Sequence, residues 1–260
     1  MEIIFQLLNR IDVFLLVFAR VLGIFIIAPL FAHRNIPSYT KIGFSLLFTI
    51  IIIPVLRISF LRIDSFYLLF LLSSKEFVTG MIMGFICYLF FSSVHVAGYL
   101  IDMQIGFSMA SVIDPQDDTQ VPLMGNFFYM IAILVFLSIN GHHTFIYGLK
   151  NSFDIIPLGS LNMNMMMIDK LIGILIYIFI ISFKMSAPIF VAIFISNVLL
   201  GILARTVPQM NVFVVGMPLK ILLGLVIIFL VLPLYIGIYE HIFENMFNRF
   251  YDFLDIMRKG

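Results

Sequence analysis

Apolar residues along this chain fall into long runs rather than into short alternating stretches. Val21–His33 carries no formal charge and follows Asp12 and Arg20 inside one hydrophobic stretch. Ile42–Leu56 is a run of 15 residues, Phe77–Ile101 one of 25 broken only by His95, and Thr119–Leu149 one of 31. Leu171–Ala204 and Thr206–Tyr239 each span 34 residues, interrupted only by Lys184 and Lys220. A bilayer-spanning helix needs about 20 apolar residues. The runs therefore predict about six helical segments, with Ser65–Ser74 as a short extra candidate. The pattern changes at Glu240–Gly260, where Ile242, Phe243, Met246, Phe247, Phe250, Phe253 and Leu254 recur every three or four positions among Glu244, Arg249, Asp252 and Asp255. That spacing predicts an amphipathic tail helix. Met1–Asn9 has no basic region, and the first apolar stretch is expected to remain as structure rather than act as a signal peptide.

Three features strain a picture of simple lipid-facing helices. A straight helix of 34 residues would be about 51 Å long, well beyond a hydrocarbon core of about 30 Å. Short, broken or protruding helices are expected instead. Pro54, Pro188, Pro218 and Pro233 lie inside apolar runs, where each removes a backbone donor and is expected to kink or break its helix. Arg20, Lys184 and Lys220 have apolar neighbours on both sides. A charge at a membrane-helix centre costs about 2.5–3.5 kcal/mol on insertion scales, so burial against partner protein is the expected escape.

Composition agrees with a membrane location. Of 260 residues, 62% are hydrophobic and 11% charged, against roughly 45–50% and about 25% in soluble domains. Too few polar side chains exist to cover a soluble surface. Lys and Arg number 15 against 14 Asp and Glu, a net charge of +1, which provides no basic footprint for nucleic acid. The four acids of Asp102–Asp118, with no Lys or Arg, argue against a cytoplasmic loop, whereas Arg34 and Lys41 argue for one around 34–41.

Catalytic and metal-binding patterns are absent, so no enzyme activity and no cofactor are expected. There is no GxxxxGK[ST] phosphate cradle and no HExxH zinc motif. His142 and His143 are adjacent, so on a helix they diverge by about 100° and do not readily share one ion. Gly106-Phe107-Ser108-Met109 lacks the second glycine of a nucleophile elbow. The methionine-rich run Asn162–Met167 reads as a drifted loop, and Cys87 as a buried thiol among aromatics. Lys75-Glu76 reads either as an interfacial anchor or as a polar contact facing a partner.

Ala97–Gly125 is the most informative stretch. Gly98, Gly106, Gly125, Pro115 and Pro122 punctuate it too heavily for one helix, yet Ile105–Ile113 is apolar and mixes small residues with Phe107, Met109 and Val112. Irregular backbone at membrane depth is tolerated where it is buried in protein or lines a cavity. Two readings stay open: a plain turn between helices, or a flexible apolar loop that closes a pore by excluding water.

Five segments in order carry a resemblance that covers nearly the whole chain. They are ARVLGIFIIAPLF (Ala19–Phe31) followed by Ile36-Pro37 and Lys41-Ile42-Gly43; KEFVTGMIMGF (Lys75–Phe85); the AG..ID.Q.GFSMA..IDPQ run (Ala97–Gln116); NGHHTFIYGLKNSFDIIPLG (Asn140–Gly159); and LARTVPQMNVFVVGMPLKILLGL (Leu203–Leu225). The chain resembles the FliR family of flagellar export-gate proteins, which has equivalents in virulence type III secretion. The complete LARTVPQMNVF run favours the flagellar branch.

The resemblance implies an all-α membrane protein of broken helical hairpins, packed in a hetero-oligomeric export gate rather than as a conventional bundle. It implies a single export-gate domain over 1–260, with a FliP-like part at about 1–170, a FliQ-like hairpin at about 171–240 and the tail at 240–260. It implies assembly with FliP and FliQ, and contact with FlhB and FlhA. The location would be the bacterial inner membrane at the flagellar basal body, raised toward the periplasmic side, with unfolded flagellar proteins as cargo and lipid as a further neighbour. By similarity, Ile105, Gly106, Phe107, Met109 and Ala110 would obstruct the channel, and Asp114-Pro115 would position that plug. Arg20, Lys184, Arg205, Gln209, Asn211 and Lys220 would make subunit contacts. A small secondary transporter is the main rival; it would need related halves, and none are visible.

Overall fold

The computed structural model describes residues 11–31, 36–56, 63, 65–107, 122–209 and 211–259. Among these residues all regular structure is helical, with no strand. The elements are α1 (Ile11–Ile27), α2 (Ser38–Ile52) with a 3-10 turn at Ile53–Val55, α3 (Phe66–Ile105), α4 (Leu123–Ser138), α5 (Gly141–Ile155), α6 (Met165–Thr206) and α7 (Val212–Lys259).

Local chemistry explains the breaks. Pro37 sits in extended backbone ahead of α2, and Pro54 ends that helix as a 3-10 turn because it has no N–H to continue the ladder. Pro122 precedes α4 in the same way. The 31-residue run Thr119–Leu149, expected as one stretch, is divided at Asn140, whose φ of 56° lies in the left-handed region. Asn tolerates that region better than branched residues do, so the α4 direction ends there.

Elsewhere the helices are longer than expected. Ser65–Ser74 is no separate element, since Phe66 begins the 40 residues of α3. Pro188 lies inside the 42 residues of α6, and Pro218 and Pro233 lie inside the 48 of α7, so the breaks expected at these prolines do not occur. Each proline removes one hydrogen bond, whereas a true break in an apolar medium would strand several backbone groups. The tail is likewise the end of α7 rather than a helix of its own. At 1.5 Å per residue, α3, α6 and α7 are about 60–72 Å long, twice the hydrocarbon thickness.

Contacts gather the chain into two compact units built from non-adjacent segments. The first comprises residues up to Leu89, Asn140–Ile174 and Glu244 onward. Its centre is α1, with Leu16, Val17, Val21 and Ile24 fully buried. The Phe25 ring lies tilted against Phe31, 4.3 Å between centroids, and against Phe48 of α2 at 5.1 Å. Gly80 and Gly84, one turn apart on α3, face the α1 backbone at Arg20 and Ile24, and Gly23 of α1 faces Phe77. This is the small-residue spacing that lets membrane helices approach closely. The tail contributes buried Met246, Phe250, Phe253, Leu254 and Met257, with Phe250 against Gly148 of α5.

A β-carbon at Gly80 would overlap the Arg20 carbonyl oxygen, so Gly80→Ala must push α1 from α3. The expected cost is about 1–3 kcal/mol, typical of overpacking. At Gly43 of α2 a β-carbon meets open space, and Gly43→Ala should instead stabilise by about 0.4–1 kcal/mol. Thermal unfolding of the detergent-solubilised assembly measures both; equal effects would contradict the close α1–α3 contact.

The second unit comprises Phe90–Ile139 and Leu175–Phe243. The rings of Phe91, Phe136 and Phe243 form its aromatic centre, each 5.1–5.5 Å from the next. Tyr235 donates to the Met185 carbonyl at 2.7 Å, and Ser182 to the Ser93 carbonyl at 2.7 Å, tying α7 to α6 and α6 to α3. The rest of the α6–α7 hairpin is open: Phe179, Phe229 and Leu230 are each about 70% exposed or more. Only 22% and 17% of the most apolar parts of α6 and α7 are buried, against 61% for α3.

Candidate functional site

The expected plug begins where α3 ends. Ile105 is fully buried, with its side chain against Gly224 of α7. Gly106 has φ of +100°, a backbone open to glycine and strained for other residues, and its N–H donates to the Asp102 carbonyl at 3.0 Å. Phe107 follows, half-buried. Met109, Ala110, Asp114 and Pro115 lie outside the described residues.

Asp102 is not a loop acid as the charge count supposed. It lies in α3, 3% exposed, and both carboxylate oxygens accept from the Met124 N–H at 3.1 Å. That removes one acid from the loop on which the orientation argument rested. Alongside, a β-carbon on Gly98 would collide with the backbone of Gly125, so α3 and the start of α4 touch backbone to backbone.

The candidate subunit contacts divide. Arg20 is fully buried and has its partners within this chain: Nε donates to Glu76 Oε2 at 2.5 Å, Nη1 to the Ser152 carbonyl at 2.9 Å and Nη2 to the Ile156 carbonyl at 3.0 Å. Its guanidinium also lies 4.3 Å from the centre of the Phe153 ring. Glu76, also fully buried, accepts from the Gly159 N–H at 2.6 Å through its other oxygen. The expected contact of Arg20 with another subunit is therefore corrected to an internal clamp, and Glu76 is neither interfacial nor facing a partner. The carbonyls that Arg20 takes are those at the end of α5, where a cation suits the helix dipole.

The remaining cations differ from Arg20. Lys184 and Arg205 are exposed and Lys220 half-buried, and Lys184 and Lys220 have no ion-pair partner among the described residues. Between Lys170 and Glu240 the sequence contains Lys184, Arg205 and Lys220 but no carboxylate. Gln209 and Asn211 are exposed at the hairpin turn, and Asn211 Oδ1 accepts from the Val214 N–H at 3.4 Å, serving the start of α7. The rings of His142 and His143 lie tilted against each other with centroids 4.1 Å apart, and among the described residues no three His, Cys, Asp or Glu side chains are placed to hold a metal ion.

The sequence had placed Glu76 at an interface or facing a partner and Asp102 in a loop, and the Gly80/Gly84 pair was passed over. The GxxxG spacing within Gly80–Gly84 was the available signal for the last of these. For the two acids the signal was a carboxylate directly at each end of the Phe77–Ile101 run, where burial requires a partner.

Among the described residues four helices are long and apolar enough to cross a membrane, or five spans if α4 and α5 count as one broken span. Together with an apolar hairpin left open and polar groups that cap or clamp helices, this defines an all-α membrane protein built for contact with other apolar surfaces. The profile of the family described as "Bacterial export proteins, family 1" matches residues 11–246, and the chain belongs to that family. It is 41% identical over 229 residues to the "Flagellar biosynthetic protein FliR" of Bacillus subtilis (strain 168), covering 86% of this chain and 87% of the relative. It is 30% identical to the protein of the same name from Escherichia coli (strain K12), covering 88% and 87%. It is also 30% identical to the "Surface presentation of antigens protein SpaR" of Shigella flexneri, over 62% of each chain.

Proposed function

We propose that the chain is a core subunit of the flagellar type III protein export gate, in the bacterial inner membrane at the basal body and raised toward the periplasm. With FliP and FliQ it forms the passage for unfolded flagellar proteins, and FlhB and FlhA are its further neighbours. Its part at about 1–170 is FliP-like and its hairpin at about 171–240 FliQ-like. The segment from Ile105 to Pro115 is the plug. One observation carries the reading: a family of bacterial export proteins matches residues 11–246, and the α6–α7 hairpin of this member is apolar, largely open and has no carboxylate between Lys170 and Glu240. Such a hairpin needs neighbours that cover it and answer its cations. The test is co-expression with tagged FliP and FliQ: recovery of all three together supports the reading, and a chain that purifies alone as a stable monomer overturns it.

Lys220 supplies a sharper measurement. A lysine matched by a carboxylate on a neighbour loses that pairing in Lys220→Met, and recovery of the three-protein complex should fall by more than about tenfold, since breaking a buried charge pair on one side costs about 2–5 kcal/mol. A lysine facing lipid would give unchanged or higher recovery, because methionine removes a charge of about 2.5–3.5 kcal/mol insertion cost. Quantified pull-down of FliP with this chain separates the two.

A further inference from the structure

Among the helices long and apolar enough to cross a membrane, α2 stands apart in length and charge. Its 15 α-helical residues and the 3 of its 3-10 turn rise about 28 Å, against a hydrocarbon core of about 30 Å. The helices α3, α6 and α7 are about twice that long. The apolar runs of α6 and α7 are interrupted by Lys184 and Lys220, whereas Ile42–Leu56 has no charge at all.

Most of the circumference of α2 is open. Its buried residues are Ser45, Thr49 and Ile52, which at about 100° per residue fall within roughly 60° of arc. Ile42, Phe44, Leu47 and Ile51 are exposed and spread over roughly 200°. A helix packed on one neighbour presents a stripe of only about 100°. The open arc is also free of polar side chains. Between Lys41 and Leu56 the polar residues are Ser45 and Thr49, both buried and donating to the carbonyls of Lys41 and Ser45 at 2.8 and 2.7 Å. Protein interfaces carry about one hydrogen bond per 100–200 Å², and lipid tails offer none. At one end of the span stand Tyr39, which is exposed, and Lys41; tyrosine collects at the depth of the headgroups. Lys41 has no ion-pair partner among the described residues, and the sequence has no Asp or Glu between Asp12 and Asp64. The nearby chain thus supplies no counter-ion, and a lipid phosphate does.

We propose that α2 is a lipid-docking surface of this subunit: acyl chains cover its exposed arc, and Lys41 is set against anionic phospholipid headgroups. The surface lies entirely within the described residues. The inference goes beyond the gate reading and does not depend on it, because that reading names the neighbouring proteins and not the helix they leave uncovered.

The experiment reconstitutes the full chain with FliP and FliQ in vesicles of phosphatidylethanolamine and phosphatidylglycerol. A trace of phosphatidylglycerol carries a photoreactive diazirine, either at the end of an acyl chain or on the headgroup, and adducts are mapped by mass spectrometry. The acyl probe should label α2 around Leu46, Leu47 and Ile51, and the headgroup probe should label the Tyr39–Lys41 end. Lys41→Gln should lower that headgroup labelling about fivefold, the weight of one lysine near an anionic surface, and leave the acyl labelling unchanged. Gly43→Leu adds bulk where a β-carbon meets open space, and it should assemble as wild type because fluid lipid makes room for it. Acyl adducts on FliP or FliQ with none on α2 overturn the proposal in favour of a protein cover. A Gly43→Leu chain that inserts but no longer joins the complex does the same. Headgroup labelling unmoved by Lys41→Gln overturns the role of Lys41. A chain that enters vesicles but refuses FliP and FliQ overturns the gate reading instead, and the same probes then decide the lipid surface on the chain alone.

Discussion

Arg20→Met is expected to cost the folded chain about 3–5 kcal/mol, because it strips one partner from a buried ion pair and leaves the other charge behind. Glu76 would keep only the Gly159 N–H, in an interior that offers it no water. The carbonyls of Ser152 and Ile156 at the end of α5 would lose their donors as well. Arg20 holds α1, α3 and the end of α5 together through a rigid fork of donors, which a lysine cannot reproduce from a single ammonium. Arg20→Lys should therefore rank nearer Arg20→Met than wild type. The double variant Arg20→Met/Glu76→Leu should recover much of the loss, since replacing a buried pair by apolar residues is often neutral. Pulse proteolysis of the purified assembly, run as a double-mutant cycle, gives the coupling directly. An Arg20→Met chain as resistant as wild type would show that the clamp carries no stability.

The contrast between Arg20 and Lys220 marks how far the sequence could be read. Each is a single cation inside an apolar run, and hydropathy treats them alike. The answering carboxylate for Arg20 lies 56 positions away on another helix, and nothing local announces it. Glu76 was conspicuous, but its neighbour Lys75 offered a partner in sequence that the helix turns elsewhere. The helical class and the apolar runs were legible, because a bilayer imposes a minimum length on every span. Helix ends were legible at Pro54 and Pro122, where a missing N–H coincides with the end of an apolar run. They were illegible at Pro188, Pro218 and Pro233, where the same missing N–H costs less than interrupting the helix. The base of the loop was half-legible: Gly98 and Gly125 stood out as glycines, but the backbone contact between them depends on how α3 and α4 pack.

The same contrast orders the polar groups by what they do. Those with partners inside the chain each join separate segments: Arg20 ties α1 to α3 and to the end of α5, Glu76 ties α3 to Gly159, and Asp102 ties α3 to the start of α4. The cations without an ion-pair partner among the described residues, Lys184 and Lys220, sit on the hairpin that is most open. Internal charge thus shapes the subunit, and outward charge is left for its neighbours. Stability variants and assembly variants should accordingly separate along that division.

The second large effect is expected from the loop itself. Replacing residues 108–119 with a short Gly/Ser linker should leave the complex assembled and make the membrane leaky. Assembly should survive because the frame lies outside the replaced residues: Asp102 still caps α4, Gly98 still meets Gly125, and Ile105 still rests on Gly224. The seal should not survive, because an apolar constriction excludes ions by keeping water out, and a Gly/Ser segment does not. If the intact loop holds the passage shut about 99 times in 100, removing that bias raises the open fraction, and with it the leak, by up to about a hundredfold. A single substitution such as Phe107→Ser should do less, since the proposed plug would keep its other apolar residues. Ion flux through membranes of cells making the complex at matched levels measures the effect. Unchanged flux with a fully recovered complex would remove the plug from this loop, and the closing element would then have to come from a neighbouring subunit.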